Sequence, residues 1–164
     1  MLARLLPFLF LTACAHHTVA PIKNETRTTL IPRGTHQQTV TVHVKKGDQR
    51  QMRFSGVLEV REDHTTLIGL TPFGSTLFRV KDSGGHIEFE TENEQMKKAA
   101  PYIQKTFEPI REMLKIPYPP AIREKTIGEL HFEFVEMNAQ EMPMKTRVQT
   151  PDFDLEIDEV GYAP

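Results

Sequence analysis

This chain has no tryptophan and a single cysteine, Cys14. One thiol cannot close an intrachain disulfide, so the folded part must hold together by packing. Long hydrophobic runs are also missing. The apolar stretch at residues 5–11 falls far short of the ~20 residues that a membrane-spanning helix needs, and Pro7 weakens it further. Neither sign of charge dominates: 20 Lys and Arg against 22 Asp and Glu leave a net charge of −2. The clustered basic surface expected of a nucleic-acid partner is not there. Lys45-Lys46 and Lys97-Lys98 read as solvated positions.

Catalytic and metal-binding patterns are lacking too. His16 and His17 are adjacent near the N-terminus, while His36, His43, His64, His86 and His131 are scattered without metal-ligand spacing. Asp152, Asp154, Glu156, Asp158 and Glu159 largely alternate with apolar residues, as the wet face of a strand does, and do not follow a calcium-loop pattern. No serine sits in a nucleophile elbow, and no glycine-rich phosphate loop occurs. The expectation is a noncatalytic protein without metal or cofactor.

What is present starts at the N-terminus. Arg4, the apolar residues 5–11 and the small Ala13 have the order of a secretory leader. The run Leu11-Thr12-Ala13-Cys14 that closes it resembles the bacterial lipobox. That resemblance implies removal of residues 1–13, a diacylglycerol on the Cys14 sulfur and an acylated amino group such as a palmitoyl amide. Each buried methylene contributes about 0.8 kcal/mol, so several chains on one residue anchor durably. By the same resemblance, Ala15 stands where aspartate marks retention at the inner membrane. It implies an outer-membrane lipoprotein facing the periplasm.

Residues 14–37 carry Pro21, Pro32 and Gly34 and no sustained periodicity, and they read as the lipidated N-terminus with its tether. A flexible chain of that length reaches roughly 25 Å. Residues 38–164 read as one domain. Within it, Val40, Val42 and Val44 alternate with polar residues, and Met52, Phe54, Leu58 and Val60 share one parity around Gly56, predicting strands. Residues 65–71, then Leu77, Phe78 and Val80, then Ile87 and Phe89 predict three more, the last two joined by the Asp82-Ser83-Gly84-Gly85 turn. Ile103, Phe107, Ile110 and Leu114 predict an amphipathic helix, with Pro101 in its first turn and a kink or break at Pro109. Leu130, Phe132 and Phe134, and finally Phe153, Leu155 and Ile157, return the chain to strand.

The expected fold class is therefore α+β: a curved antiparallel sheet, an open half-barrel, wrapped around a kinked amphipathic helix. This order, with the runs Phe54-Ser55-Gly56-Val57-Leu58-Glu59-Val60 and Leu70-Thr71-Pro72-Phe73-Gly74, resembles the LolA/LolB half-barrels, and among them uncharacterised LolB-related outer-membrane lipoproteins, over residues 40–116. The tryptophan frequent in the first strands of LolB has no counterpart here. The resemblance implies acyl-chain binding inside an apolar concavity.

Residues suited to line such a concavity are Phe54, Leu58, Leu70, Phe78, Phe89, Ile103, Phe107, Phe132 and Phe134. The same set suits a dry core, and residue type does not separate the two. Phe73, in a Pro-Phe-Gly turn, either touches a membrane or partner or folds back onto the core. Met137, Met142 and Met144 cluster around Pro143 and read either as a surface that fits varied apolar ligands or as a loop that plugs the sheet. The expected function is binding of lipid or an acylated protein in envelope trafficking. The alternative is an envelope assembly protein with a filled core that docks a protein partner.

Overall fold

The alternation seen at Val40 and Val42 already begins at Gly34, because His36 and Gln38 continue the same parity and are buried with them. The structure, a computed structural model, describes residues 27–45, 51–118 and 123–164. Its elements are β1 (Gly34–Val44), β2 (Gln51–Val60), β3 (Thr65–Leu70), β4 (Thr76–Ser83), β5 (His86–Glu90), α1 (Glu94–Met113), β6 (Glu124–Ile127), β7 (Leu130–Met137), β8 (Pro143–Gln149) and β9 (Phe153–Ala163). Among the described residues the strands form one nine-stranded antiparallel sheet in the order β5-β4-β3-β2-β1-β9-β8-β7-β6.

This corrects the expected fold class. The protein is mostly sheet with a single helix, not an α+β sheet wrapped around a kinked helix. Two strands that the sequence did not announce, β6 and β8, complete the second half of the sheet, and the pairing of β1 with β9 joins it to the first. The helix runs without interruption from Glu94 to Met113, with both Pro101 and Pro109 inside it. Asn93 caps it, so Pro101 lies well past the first turn; the Asn93 side chain accepts from the amides of Gln95 (2.9 Å) and Met96 (3.2 Å). The amides that the prolines lack would have served the carbonyls of Lys97 and Lys105, both solvent-facing residues, where water can substitute.

Ile103, Phe107, Ile110 and Met113 make one buried stripe on α1 and join Leu58, Leu67, Phe78, Val80, Phe132, Phe134, Val148 and Leu155 in a common core. Each such side chain contributes about 1.5–3 kcal/mol by leaving water. The pairing registers define two ends of the sheet. Gly34, Val60, Thr65 and Ala163 mark a near end, and Val44, Gln51, Gln149 and Phe153 a far end. Helix α1 starts toward the far end and finishes at the near one, where Arg111 lies 4.0 Å from Asp82.

The folded body also begins earlier than residue 38. Leu30 and Ile31 belong to the core, and the amide of Leu30 donates to the carbonyl of Ile116 (2.7 Å). Residues 27–33 thus form a strap over the near end rather than the last part of a tether.

Candidate functional site

The residues offered as a lining come together, with one exception, and they pack on one another. Phe78 meets Phe54 edge-on with ring centroids 5.2 Å apart and Phe89 at 6.1 Å, while Phe132 and Phe134 stack at 6.5 Å. Leu58, Ile103 and Phe107 are buried among them. Gly69, opposite Phe78 in the pairing of β3 with β4, leaves room for that ring. Leu70 is the exception: it pairs with Ser55, on the parity opposite to the buried Leu67, and is half-buried outside the core cluster.

Phe73 stands apart from all of these. It is 95% exposed at the tip of the β3–β4 turn, on the far side of the sheet. The turn is held by its own bonds: the amides of Thr71 and Gly74 pair with the carbonyls of Ser75 (2.8 Å) and Thr71 (2.9 Å), and the amide of Ser75 donates to Thr71 Oγ1 (3.1 Å). Gly74 takes a φ of 81°, which a side chain would resist. The ring is therefore displayed by a fixed turn instead of being tucked against the core.

At the near end lies a constellation that the sequence reading missed. A β-bulge sets Gln38 opposite Glu159, but Gln37 opposite Gly161, so the intervening Val160 is left over and points out. Glu159 and Tyr162 consequently share the inner face with Gln38 and His36. Gln38 donates to Glu159 Oε2 (3.1 Å), His36 Nε2 lies 2.9 Å from the Pro32 carbonyl, and the Tyr162 hydroxyl donates to the Arg33 carbonyl (2.7 Å). The parity shared by His36 and Gln38 with Val40 was the available signal. It was hidden because a polar side chain on that parity reads as the end of a strand.

The strap is fastened at its other end by Arg27. Its guanidinium donates to the carbonyls of Thr29, Leu30 and Gln140, and lies 4.3 Å from the centre of the Tyr118 ring. Burial lowers the pKa of this guanidinium, and the nearby Tyr118, Tyr162 and Glu141 oppose that shift. Met142 is buried, and Pro143 and Met144 open β8, so part of the methionine cluster is strand.

Apart from Glu159, the acidic residues of β9 are paired along the outer face. Lys145 Nζ donates to Glu156 Oε1 (2.8 Å) and lies 3.3 Å from Asp158, and Arg147 Nε lies 3.3 Å from Glu156. Glu156 is held below the ordinary carboxylate range chiefly by that lysine bond, and Lys145 is correspondingly raised by it. Among the described residues no group of three or more His, Cys, Asp or Glu side chains is arranged to hold a metal ion. None of their helices is long and apolar enough to cross a membrane. Cys14, the expected lipid attachment residue, lies outside the described residues.

No curated protein matches this chain. Residues 35–122, more than half of it, match the model of a family of proteins of unknown function, DUF3261, and the chain belongs to that family. The match covers β1–β5 and α1, the part of the fold that carries Phe73, His36 and the helix stripe.

Proposed function

We propose that this member of the DUF3261 family is a noncatalytic envelope lipoprotein, anchored through Cys14 on the periplasmic side of the outer membrane, that works by docking a protein partner at its far end. The observation that carries the reading is Phe73, 95% exposed on a hydrogen-bonded turn, while Phe78, Phe107, Phe132 and Phe134 are buried in the core and Phe54 and Phe89 pack half-buried against it. An exposed ring held at a turn tip has little to contribute to stability and much to gain from a partner's apolar pocket.

Topology supports a partner on the side away from the anchor. The chain enters the folded body at Arg27, beside the loop at residues 138–142 at the near end, and Phe73 projects at the opposite one. The lipobox and LolB resemblances add the anchor and an acylated protein as the partner class. Carriage of an acyl chain inside the fold is the competing reading, and the mutual packing of Phe54, Phe78, Phe89, Phe132 and Phe134 weighs against it.

A photoreactive residue placed at position 73 in the living cell tests the proposal. It should cross-link to an envelope protein, and Phe73→Ser should abolish the function of the protein while its stability stays within about 0.5 kcal/mol of wild type. Cross-linking to lipid alone, or an acyl chain that co-purifies with a Cys14→Ser variant, would replace docking with carriage. The same Cys14→Ser variant should leave the membrane fraction; its retention there would remove the anchor from the proposal.

A further inference from the structure

The His36 ring is fully buried, and the Glu159 side chain is only 5% exposed. His36 Nε2 lies 2.9 Å from the Pro32 carbonyl, which can only accept, so that nitrogen carries a hydrogen. The other ring nitrogen, Nδ1, faces Glu159 Oε1 at 3.5 Å, and neither atom has another hydrogen-bond partner. With an ionised carboxylate and a neutral ring, two sets of lone pairs would confront each other in a dry site. That arrangement leaves two buried acceptors unsatisfied, each at a cost of about 1–3 kcal/mol.

We infer that one buried proton is held between His36 Nδ1 and Glu159 Oε1, and that it latches the strap of residues 27–33 over the near end of the core. A cationic ring donates through both nitrogens, one hydrogen to Glu159 and one to Pro32, and both bonds gain from the charge. The groups facing the ring are Glu159 and Tyr162 from β9, Gln38 from β1, Leu58 from β2 and the strap carbonyl of Pro32. Of the strap's own cations, Arg27 bonds the carbonyls of Thr29, Leu30 and Gln140 and acts on the ring only through the nearby Tyr162, and Arg33 is exposed and pairs with Glu62 at 3.4 Å.

The latch matters because of what the strap covers. Leu30 is fully buried, Ile31 nearly so, and both pack in the core beside Ile116. Tyr162, whose ring lies tilted by 34° at 4.8 Å from the His36 ring, holds the neighbouring carbonyl of Arg33, so ring and hydroxyl fasten adjacent links of the same strap. Withdrawal of the proton would set the carboxylate against the ring, loosen both links and lift Leu30 and Ile31 from the end of the sheet through which the N-terminal chain arrives. The fold thus carries a lid with a protonic catch, whatever the partner at the far end proves to be.

Nitrogen and carbon NMR of the full chain in detergent at neutral pH tests the catch. The expected spectrum shows a proton between the pair: both His36 ring nitrogens protonated, or a protonated Glu159 carboxyl donating to the ring. In Glu159→Gln the ring should become neutral with its hydrogen on Nε2. A neutral His36 beside an ionised Glu159 in the wild-type protein overturns the inference.

Amide exchange tests the lid. In Glu159→Leu, the Leu30 amide should exchange about tenfold faster while amides of β3 and β4 stay within about twofold of wild type. Unchanged strap exchange, or a rise shared by every strand, overturns the latch. If that variant does not fold, the ring and carboxyl spectra of the wild type decide the matter alone.

Discussion

Gly69 and Phe78 face each other across the β3–β4 pair, and the phenylalanine ring fills the space where any other residue at position 69 would carry its Cβ. Gly69→Ala should therefore destabilise by about 1–3 kcal/mol through overpacking. Thermal unfolding measures the loss. The cost should shrink in a Phe78→Leu background, and an equal cost in both backgrounds would show that the ring is not its cause.

Arg27 joins three segments far apart in the chain: the strap, the loop at residues 138–142 and Tyr118. A lysine keeps the charge but loses the planar fork that reaches several carbonyls at once. Arg27→Lys should cost about 1 kcal/mol or more, and Arg27→Ala about 1.5–3 kcal/mol. Limited proteolysis should then cut first within residues 27–33, and cleavage elsewhere would relocate the weak point.

The Asn93 side chain satisfies two of the amides that open α1. Asn93→Ala should cost about 1 kcal/mol and speed amide exchange at Gln95 and Met96, whereas Asn93→Asp should keep most of the cap. Denaturant midpoints for the two variants check this.

On the outer face, Glu156 is held below its ordinary value of 4.5 by the Lys145 bond first and by Arg147 after it. A depressed carboxylate lends stability above its unfolded pKa and loses it as pH falls through the lower folded value. The stability profile of Glu156→Gln should thus lie under wild type at pH 7 and converge on it as pH falls through the depressed folded value. Because the pair is partly exposed and screened by solvent, the gap should be on the order of 0.5 kcal/mol. A gap that widens toward acid would reverse the assignment.

Much of the sheet could be read from side-chain parity alone. Met52, Phe54, Leu58 and Val60 share the inner face of β2, and Phe132 with Phe134 does the same for β7, as alternation required. The Asp82 carboxylate receives the Gly85 amide at 2.8 Å, matching the turn chemistry of that run.

Other elements were hidden for physical reasons. The short β6, Glu-Lys-Thr-Ile, has no inner-face pattern because it is an exposed edge, and β8 opens with a proline among methionines. Leu30 and Ile31 are two apolar residues in a polar stretch, too few to show a period, and they are buried only because the segment that follows the helix pairs with them. Pro109 weighed against a continuous helix locally, and packing of Phe107, Ile110 and Met113 against the sheet overrode that preference. Within the site, Phe73 was visible as a turn aromatic, but its exposure was not. The His36–Glu159 pair depends on the bulge at Val160, which no spacing rule foretells.

The placement of β9 between β1 and β8 has a consequence for biogenesis. The seam that unites the two halves is sewn by the strand made after all the others described, so a nascent chain that has reached only Asp152 holds two unfinished ribbons, each with a raw border. During synthesis those borders invite mispairing, and shielding them until Phe153 and its successors arrive is a task for whatever escorts the polypeptide.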